Sequence, residues 1–167
     1  MAELYLKQKL IHTNGNLPAV GTKAPDFTLT AQDLSDKHLS DFSGKKKLIY
    51  TLPSIDTPTC EKSTKNLNES AKIFQDVVFL IISCDLPFAQ KRFCHQEGAN
   101  NVVTLSLMRD KKFAESYGIL ITEGVLKGLC ARSIFILDSQ DKILYQELVS
   151  VVAHEPNYDA AIKALKA

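Results

Sequence analysis

Residues 48–83 read LIYTLPSIDTPTCEKSTKNLNESAKIFQDVVFLIIS, and this stretch decides the fold. It opens with the compact apolar run LIYTL and closes with VVFLIIS, the strongest strand-forming run of the chain. Compact apolar runs of this kind are typical of buried strands. Between them, an apolar side chain recurs at Leu67, Ala71 and Phe74, which predicts a helix over residues 58–74. Strand, helix and strand in this order form a βαβ unit, whose crossover is right-handed.

The segment after this unit continues the alternation of helices and strands. DLPFAQKRFCHQEG has Asp85 as a candidate N-cap, Pro87 near the first turn and Gly98 at its end, so it predicts a short helix. NVVTLSL follows as a strand, and RDKKFAESYG as a helix that ends at Gly118. RSIFILD and KILYQELV predict a pair of strands, and PNYDAAIKALKA predicts a closing helix with Pro156 at its start.

The N-terminal side of the βαβ unit is predicted to be β-structure. Residues 3–20 alternate roughly between apolar and polar around Asn14-Gly15, a dipeptide that strongly favours a hairpin turn. APDFTLTAQD then predicts one further short strand. We therefore expect a single α/β domain over residues 1–167, with a mixed central sheet flanked by helices and residues 1–20 as an N-terminal β-hairpin extension.

The composition of the chain narrows the classes of partner. With 20 basic and 19 acidic side chains in 167 residues, the charge balance gives no reason to expect nucleic acid or an anionic membrane as a partner. The N-terminal run MAELYLKQKLIH is interrupted by charged residues, so it lacks the apolar core of a signal peptide, and no later run is long enough to span a bilayer. We expect a soluble cytoplasmic protein that acts on a small molecule or on another protein.

The cysteines are the first candidates for chemistry. They are Cys60, Cys84, Cys94 and Cys130. In a reducing compartment we expect thiols at rest, so a disulfide among them indicates catalysis rather than structural support. Thr57 is a good N-cap and Pro58 a good first helical residue, which places Cys60 in the first turn, where unpaired backbone N–H groups stabilise a thiolate. The alternative is that Cys60 packs under the helix start as a small hydrophobic residue.

A wider pattern surrounds Cys60. Pro53, Thr57 and Cys60 follow a buried strand directly, and their spacing resembles the active-site signature of the peroxiredoxin family. The stretches SIDTPTC, ISCDLPFAQKRFC, NVVTLS, EGVLKGLCARSIFILD and EPNYDAAIKALKA are similar to the thiol peroxidase branch of that family. The resemblance runs from about Gly21 to Ala167, and its separated motifs agree in order and spacing. It implies a thioredoxin-like fold.

The resemblance also implies a role for five residues. Cys60 matches the cysteine that attacks the peroxide, Thr57 the hydroxyl residue beside it, and Pro53 the proline that shields the pocket. Arg132 matches the active-site arginine. Cys94, on the helix after DLPFA, matches the resolving cysteine of this branch.

These roles imply a thiol-dependent peroxidase that reduces hydrogen peroxide and organic hydroperoxides. Attack by the Cys60 sulfur on the O–O bond develops negative charge on the departing oxygen, which Arg132 and Thr57 can stabilise. The resulting sulfenic acid condenses with Cys94 to give a disulfide, and local unwinding is expected because two helical cysteines seldom lie close enough for that bond. The resemblance implies thioredoxin as the reductant, a homodimer and no cofactor.

Three of the site residues also have a simpler interpretation. Arg132 can be a solvated arginine at the start of a strand, Thr57 a plain N-cap and Pro53 the end of a strand. Leu52 departs from the family pattern, because an aromatic residue is common at that position.

Two further cysteines depart from the family pattern. We expect Cys84 and Cys130 to be buried small residues with ordinary, poorly reactive thiols. The alternative is that Cys130 forms a second disulfide or replaces Cys94 as the resolving cysteine.

Other functions fit the sequence less well. A thioredoxin-like disulfide oxidoreductase needs a C-x-x-C motif, which the chain lacks. A metal site is disfavoured because Cys94 and His95 are adjacent, while the other histidines lie in unrelated segments without ligand spacing, at His12, His38 and His154. A peroxide-sensing relay that passes oxidation to a bound partner stays open as an alternative, since it uses the same cysteines.

Overall fold

The computed structural model describes residues 1–167, which form nine strands, four α-helices and one 3₁₀ turn. The strands are β1 (Glu3–Leu6), β2 (Lys9–His12), β3 (Thr28–Thr30), β4 (Asp36–His38), β5 (Lys46–Thr51), β6 (Val77–Ser83), β7 (Val103–Ser106), β8 (Ser133–Leu137) and β9 (Ile143–Leu148). The helices are α1 (Pro58–Ile73), α2 (Pro87–Glu97), α3 (Lys112–Ser116) and α4 (Tyr158–Lys166), with the 3₁₀ turn at Leu39–Phe42. None of the helices combines the length and the apolar character that crossing a membrane requires.

Seven of the strands form one mixed sheet in the order β4-β3-β7-β6-β5-β8-β9. Its central strands β5, β6 and β7 are parallel neighbours. The remaining pairs, β3 with β4 and β7, and β8 with β5 and β9, are antiparallel. β5, α1 and β6 form the predicted βαβ unit at the centre, so the predicted α/β architecture around a mixed sheet is confirmed.

The central strands alternate their side chains between two hydrophobic cores, one on each face of the sheet. The helical core includes Leu67 of α1, Phe93 of α2 and Ala161 of α4, and the hairpin core includes Leu4 of β1, Ile11 of β2 and Phe113 of α3. In β5, Leu48 and Tyr50 point into the helical core and Ile49 into the hairpin core. Because both faces are covered, the strands read as continuous apolar runs.

Helices α1 and α4 start close to their predicted positions. α1 begins at Pro58 as predicted and ends at Ile73, one residue before the predicted end. α4 begins at Tyr158, and the side chain of its N-cap Asn157 accepts the N–H of Ala160 at 3.0 Å. Pro156, predicted at the start of this helix, directly precedes the cap.

The N-terminal hairpin is confirmed, but its predicted turn is wrong. β1 and β2 pair antiparallel with Leu6 opposite Lys9, so the turn lies at Lys7 and Gln8. Lys7 takes a positive φ of 57° there.

Asn14-Gly15 instead anchors the hairpin to the end of α3 and to the segment after it. Asn14 Nδ2 donates to the carbonyl of Glu115 at 2.9 Å, and its Oδ1 accepts the N–H of Leu120 at 3.1 Å. Gly118 follows the end of α3 with a φ of 68°, and a Cβ there would meet the carbonyl oxygen of Asn16 at 2.1 Å. The close approach of these two segments therefore requires glycine at this position.

Asp85 is not the N-cap of α2, so that prediction is wrong. The N-cap position belongs to Leu86, and the helix ends at Gly98 as predicted, in a left-handed conformation with a φ of 64°. The carboxylate of Asp85 instead accepts the Ser54 hydroxyl at 2.7 Å and the Ile55 N–H at 2.9 Å. It therefore holds the loop between β5 and α1 rather than capping its own helix.

A buried ion pair joins β5 to the turn between β8 and β9. Lys47 is fully buried, and its ammonium donates to the carboxylate of Asp141, whose side chain is 14% exposed. Asp141 takes a positive φ of 66°, a conformation that asparagine also adopts. Removing one partner of a buried pair leaves the other charge buried without a counter-charge, which destabilises the folded state strongly.

We predict that Asp141→Asn lowers the free energy of unfolding by about 3 kcal/mol, because the Lys47 ammonium is left buried without a counter-charge. Urea unfolding followed by circular dichroism measures the change. Adding Lys47→Met removes the unpaired charge and is expected to recover most of the lost free energy of unfolding. Asp76→Asn, at an exposed position, is the control. A loss below about 0.5 kcal/mol for Asp141→Asn would contradict this role of the pair.

Candidate active site

Cys60 lies in the first turn of α1, as predicted, and its exposed fraction is 0%. Thr57 occupies the N-cap position, also as predicted. Its hydroxyl, however, makes no capping bond and donates to the carbonyl of Ser54 at 3.2 Å. The interpretation of Thr57 as an N-cap therefore holds for its position but not for a capping hydrogen bond, and its hydroxyl stays in the turn that precedes Cys60.

Arg132 brings a positive charge to the sulfur of Cys60. It directly precedes β8 and is only 3% exposed, so its interpretation as a solvated arginine is wrong. Nη1 of Arg132 donates to Cys60 Sγ at 3.2 Å, and Nη2 donates to the carbonyl of Val152 at 3.0 Å. Because a guanidinium stays charged in proteins, this contact stabilises negative charge on the sulfur.

Tyr50 is a third member of this group, and the sequence analysis missed it. It is completely buried in β5, and Arg132 Nη1 donates to its hydroxyl at 2.6 Å. Burial raises the pKa of Tyr50 far above its usual value, against the opposing effect of Arg132, so the phenol stays protonated. A usable signal was the alternation in LIYTL, which places Tyr50 on the same face as Leu48 and Leu52, the face that receives α1.

The guanidinium of Arg132 has no carboxylate among its hydrogen-bond partners. Its acceptors are a phenol, a sulfur and a backbone carbonyl. Burial alone lowers the pKa of Arg132, but Tyr50 and Cys60 raise it overall. The Nε of Arg132 is buried and has no partner at all. An unpaired buried donor is costly, so the site holds one N–H that an incoming acceptor would satisfy.

The loop before α1 supplies an apolar wall beside Cys60. Leu52, Pro53 and Ile55 are all buried there. Leu52, which departs from the family's aromatic residue, packs in the helical core together with Cys60. Asp85 fixes this loop through the two hydrogen bonds described above.

A segment after β9 packs over the N-terminal turns of α1, and we call residues 152–155 the cover segment. The Thr59 hydroxyl donates to the carbonyl of Ala153 at 3.0 Å. Lys62 forms an ion pair with Glu155 at 3.2 Å. Because Cys60 has no exposed surface in this arrangement, a substrate reaches its sulfur only after a local movement around the site.

Cys94 lies near the end of α2, as predicted, with 6% of its surface exposed. It packs in the helical core, on the same face of the sheet as Cys60. The two cysteines are both free thiols. Burial raises the pKa of Cys94, while hydrogen bonding from Gln32 and Thr104 opposes the shift. Cys94 is thus a buried thiol whose surroundings favour its protonated form.

Cys84 and Cys130 lie together on the opposite face of the sheet. Cys130 is fully buried as expected, whereas Cys84 is partly exposed, which differs from the expectation. Their Sγ atoms are 4.0 Å apart. Both pack in the hairpin core, so the sheet separates Cys130 from Cys60, and this position does not favour Cys130 as a substitute for Cys94.

The histidines do not converge with the cysteines. His12 lies 2.5 Å from a carboxylate oxygen of Glu123, and His38 lies 3.0 Å from the hydroxyl of Thr28. No group of three or more His, Cys, Asp or Glu side chains comes together in a way that could hold a metal ion.

Comparisons with known proteins agree with the fold and with a thiol peroxidase. Residues 19–162 match the Redoxin family. The chain is 46% identical over 169 residues to a thiol peroxidase of Leptospira interrogans, with 100% of this chain and 99% of that protein covered. It is 45% identical over 166 residues to a thiol peroxidase of Staphylococcus haemolyticus, with 99% of each covered.

Solved structures show the same architecture. A peroxiredoxin-like protein from Aquifex aeolicus superposes with a TM-score of 0.92 at 38% identity, covering 99% of this chain and 97% of that one. A thiol peroxidase from Chromobacterium violaceum superposes with a TM-score of 0.92 at 26% identity, covering 98% of this chain and 95% of that one.

The chain belongs to the Redoxin family, and its fold is the thioredoxin-like fold of the peroxiredoxins with an added N-terminal hairpin. The predicted resemblance is confirmed. Within the family the chain is a peroxiredoxin-type, thiol-dependent peroxidase, so its substrate is a peroxide and its electrons come from a thiol reductant.

We predict that Tyr50→Phe slows the oxidation of Cys60 by hydrogen peroxide roughly tenfold, because Arg132 loses an acceptor that fixes its orientation. Rapid quenching followed by mass spectrometry of the intact chain measures the rate. Tyr145→Phe is the matched control, since that hydroxyl bonds to Glu147 at 3.0 Å on β9 and does not contact Arg132. A Tyr50→Phe rate within about twofold of the unmodified chain would show that Arg132 is positioned without Tyr50.

Proposed function

We propose that the chain reduces hydroperoxides through Cys60, with Arg132 stabilising charge at the reacting atoms and Cys94 closing a catalytic disulfide. The observation that carries this proposal is the 3.2 Å contact between Nη1 of Arg132 and the Cys60 sulfur. A buried cation without a carboxylate partner, set beside a cysteine in the first turn of a helix, supports a thiolate nucleophile.

In the first step the Cys60 thiolate attacks one oxygen of a hydroperoxide, ROOH. The S–O bond forms, the O–O bond breaks, and RO⁻ departs and takes up a proton to leave as ROH. Negative charge moves from the sulfur to the departing oxygen, and preoriented donors lower the barrier for that shift. The unpaired Nε–H of Arg132 is a donor that remains available for this oxygen.

Thr57 and Pro53 have supporting roles in this proposal. The Thr57 hydroxyl makes only a 3.2 Å bond to the carbonyl of Ser54, so it can turn to hydrogen-bond a peroxide oxygen. Pro53 is buried in the loop before α1, where it limits the access of water to the reacting atoms.

Access to the sulfur requires a local opening of the site. Cys60 has no exposed surface, and the cover segment is tied to α1 by the Thr59 hydroxyl and by the ion pair between Lys62 and Glu155. The carbonyl of Val152 also accepts Nη2 of Arg132, but the contacts of residues 153–155 with α1 lie near the surface, which favours a local opening that costs less than global unfolding. Substrate therefore enters between the cover segment and the start of α1.

In the second step Cys94 condenses with the Cys60 sulfenic acid to form a disulfide and water. Both cysteines pack in the helical core, which supports this pairing over one with Cys84 or Cys130. Each lies on a helix, so the first turn of α1 or the last turn of α2 unwinds to bring the sulfurs together. Thioredoxin then reduces the disulfide by thiol exchange, and the chain acts as a homodimer in the cytoplasm.

The test of this proposal is Cys94→Ser. This variant is expected to reduce one equivalent of hydrogen peroxide and to stop as a Cys60 sulfenic acid, because its resolving thiol is gone. Mass spectrometry after trapping with dimedone identifies the modified residue. Steady turnover supported by thioredoxin and its reductase is expected to fall to background.

Two further variants serve as controls for this experiment. Cys60→Ser is expected to show no peroxide turnover, because a serine hydroxyl supplies no thiolate. Cys84→Ser keeps both proposed catalytic cysteines and is expected to turn over normally. Sustained thioredoxin-dependent turnover in Cys94→Ser would mean that another thiol resolves Cys60, and turnover in Cys60→Ser would overturn the assignment of the nucleophile.

A further inference from the structure

Two cysteines that the proposed mechanism does not use lie in contact with each other. Cys84 directly follows β6, and Cys130 lies two residues before Arg132. Their Sγ atoms are 4.0 Å apart, and both are free thiols. They pack in the hairpin core, so the central sheet separates this pair from Cys60 and Cys94.

The two thiols have different surroundings. Cys84 is partly exposed, and hydrogen bonding from Cys130 lowers its pKa, with help from the nearby Lys111 ammonium and against the effect of burial. Cys130 is fully buried, and its hydrogen bond to Cys84 together with burial raises its pKa. Lys111 opposes that rise, whereas Asp85 adds to it. The pair thus holds one partly exposed, more acidic thiol next to one fully buried, less acidic thiol.

We propose that Cys84 and Cys130 form a second dithiol centre, which hydroperoxides oxidise to an intramolecular disulfide independently of Cys60. Cys84 is the attacking thiol, because it is the partly exposed and more acidic member of the pair. Cys130 is the resolving thiol. This centre goes beyond the proposed catalytic cycle and does not depend on it.

In the overall reaction, two thiols and one hydroperoxide give one disulfide, one alcohol and one water. The Cys84 thiolate attacks the O–O bond and becomes a sulfenic acid, while RO⁻ departs and takes up a proton. The Cys130 sulfur then attacks the Cys84 sulfur, and the hydroxyl leaves as water with the proton of Cys130. The dithiol loses two electrons in total, and the peroxide bond gains them.

The geometry favours this bond and links it to the active site. Sulfurs that are 4.0 Å apart need to approach by only about 2 Å to form a disulfide. Cys84 precedes Asp85, whose carboxylate holds the loop before α1, and Cys130 lies two residues before Arg132. The disulfide therefore joins the two segments that position Cys60.

The test uses the full-length chain with Cys60→Ser and Cys94→Ser, so that neither cysteine of the proposed catalytic cycle is present. After treatment with excess hydrogen peroxide, both remaining thiols are expected to resist alkylation, and peptide mapping is expected to find Cys84 joined to Cys130 within one chain. Free thiols, or a Cys84 bond to another chain, would overturn the proposal.

The unmodified chain gives a second measurement that does not rely on the folding of that variant. With one equivalent of hydrogen peroxide, only Cys60 and Cys94 are expected to react, because the catalytic site consumes the oxidant first. With excess peroxide, the peptide that joins Cys84 to Cys130 is expected to appear. Its absence in excess peroxide would also overturn the proposal.

Single changes in the doubly substituted chain separate the roles of the two thiols. With Cys130→Ser added, the reaction is expected to stop at a Cys84 sulfenic acid that dimedone traps. With Cys84→Ser added, Cys130 is expected to stay a free thiol, because it is buried and protonated. Trapping of a sulfenic acid on Cys130 would contradict the assignment of the attacking thiol.

Lys111→Met tests whether the Lys111 ammonium contributes to the reactivity of Cys84. In the doubly substituted chain it is expected to slow disulfide formation by roughly three- to tenfold, because the ammonium no longer favours the Cys84 thiolate. Lys112→Met is the matched control, since Lys112 is exposed and adjacent in the chain. Equal rates for the two variants would overturn the role of Lys111.

Discussion

The hydrogen bond from buried Arg132 to the Cys60 sulfur is the interaction on which the rest of the site depends. A guanidinium that is 3% exposed needs compensation for lost hydration, and it contacts no carboxylate. Its acceptors are the Tyr50 phenol, the carbonyl of Val152 and the Cys60 sulfur, and the guanidinium stabilises negative charge on that sulfur. Burial of the cation and stabilisation of negative charge on the sulfur therefore depend on the same contact, and both are weakened if either residue moves.

The fold satisfies this requirement through the alternation of its strands. Tyr50 lies in β5 opposite Ile134 of the neighbouring strand β8, and Arg132 directly precedes β8. Both side chains point toward the face that receives α1, where Cys60 occupies the first turn. Cys130 lies before β8, outside its alternation, and packs on the other face beside Cys84. One sheet thus keeps two pairs of thiols apart and gives them different surroundings.

Local patterns in the sequence predicted most of the fold, and long-range contacts account for what they missed. The apolar runs, Pro58 and Gly98 predicted the βαβ unit, the start of α1 and the end of α2, because each signal acts within a few residues. The predictions at Asn14-Gly15 and at Asp85 were wrong because these side chains bond to partners distant in the chain. Asn14 bonds to Leu120, and Asp85 bonds to Ser54. The contact of Tyr50 with Arg132 is of the same kind, since 82 residues separate them.

The role of Arg132 is tested most directly by the second-order rate at which hydrogen peroxide oxidises Cys60 in Arg132→Gln. Loss of the only cation in contact with the sulfur is expected to slow this step by on the order of 100-fold, about 2.7 kcal/mol of transition-state stabilisation, while thermal unfolding shows a folded chain. Arg92→Gln is the control, because that arginine pairs with Asp56 at the surface. A rate for Arg132→Gln within about threefold of the unmodified chain would contradict this role of Arg132.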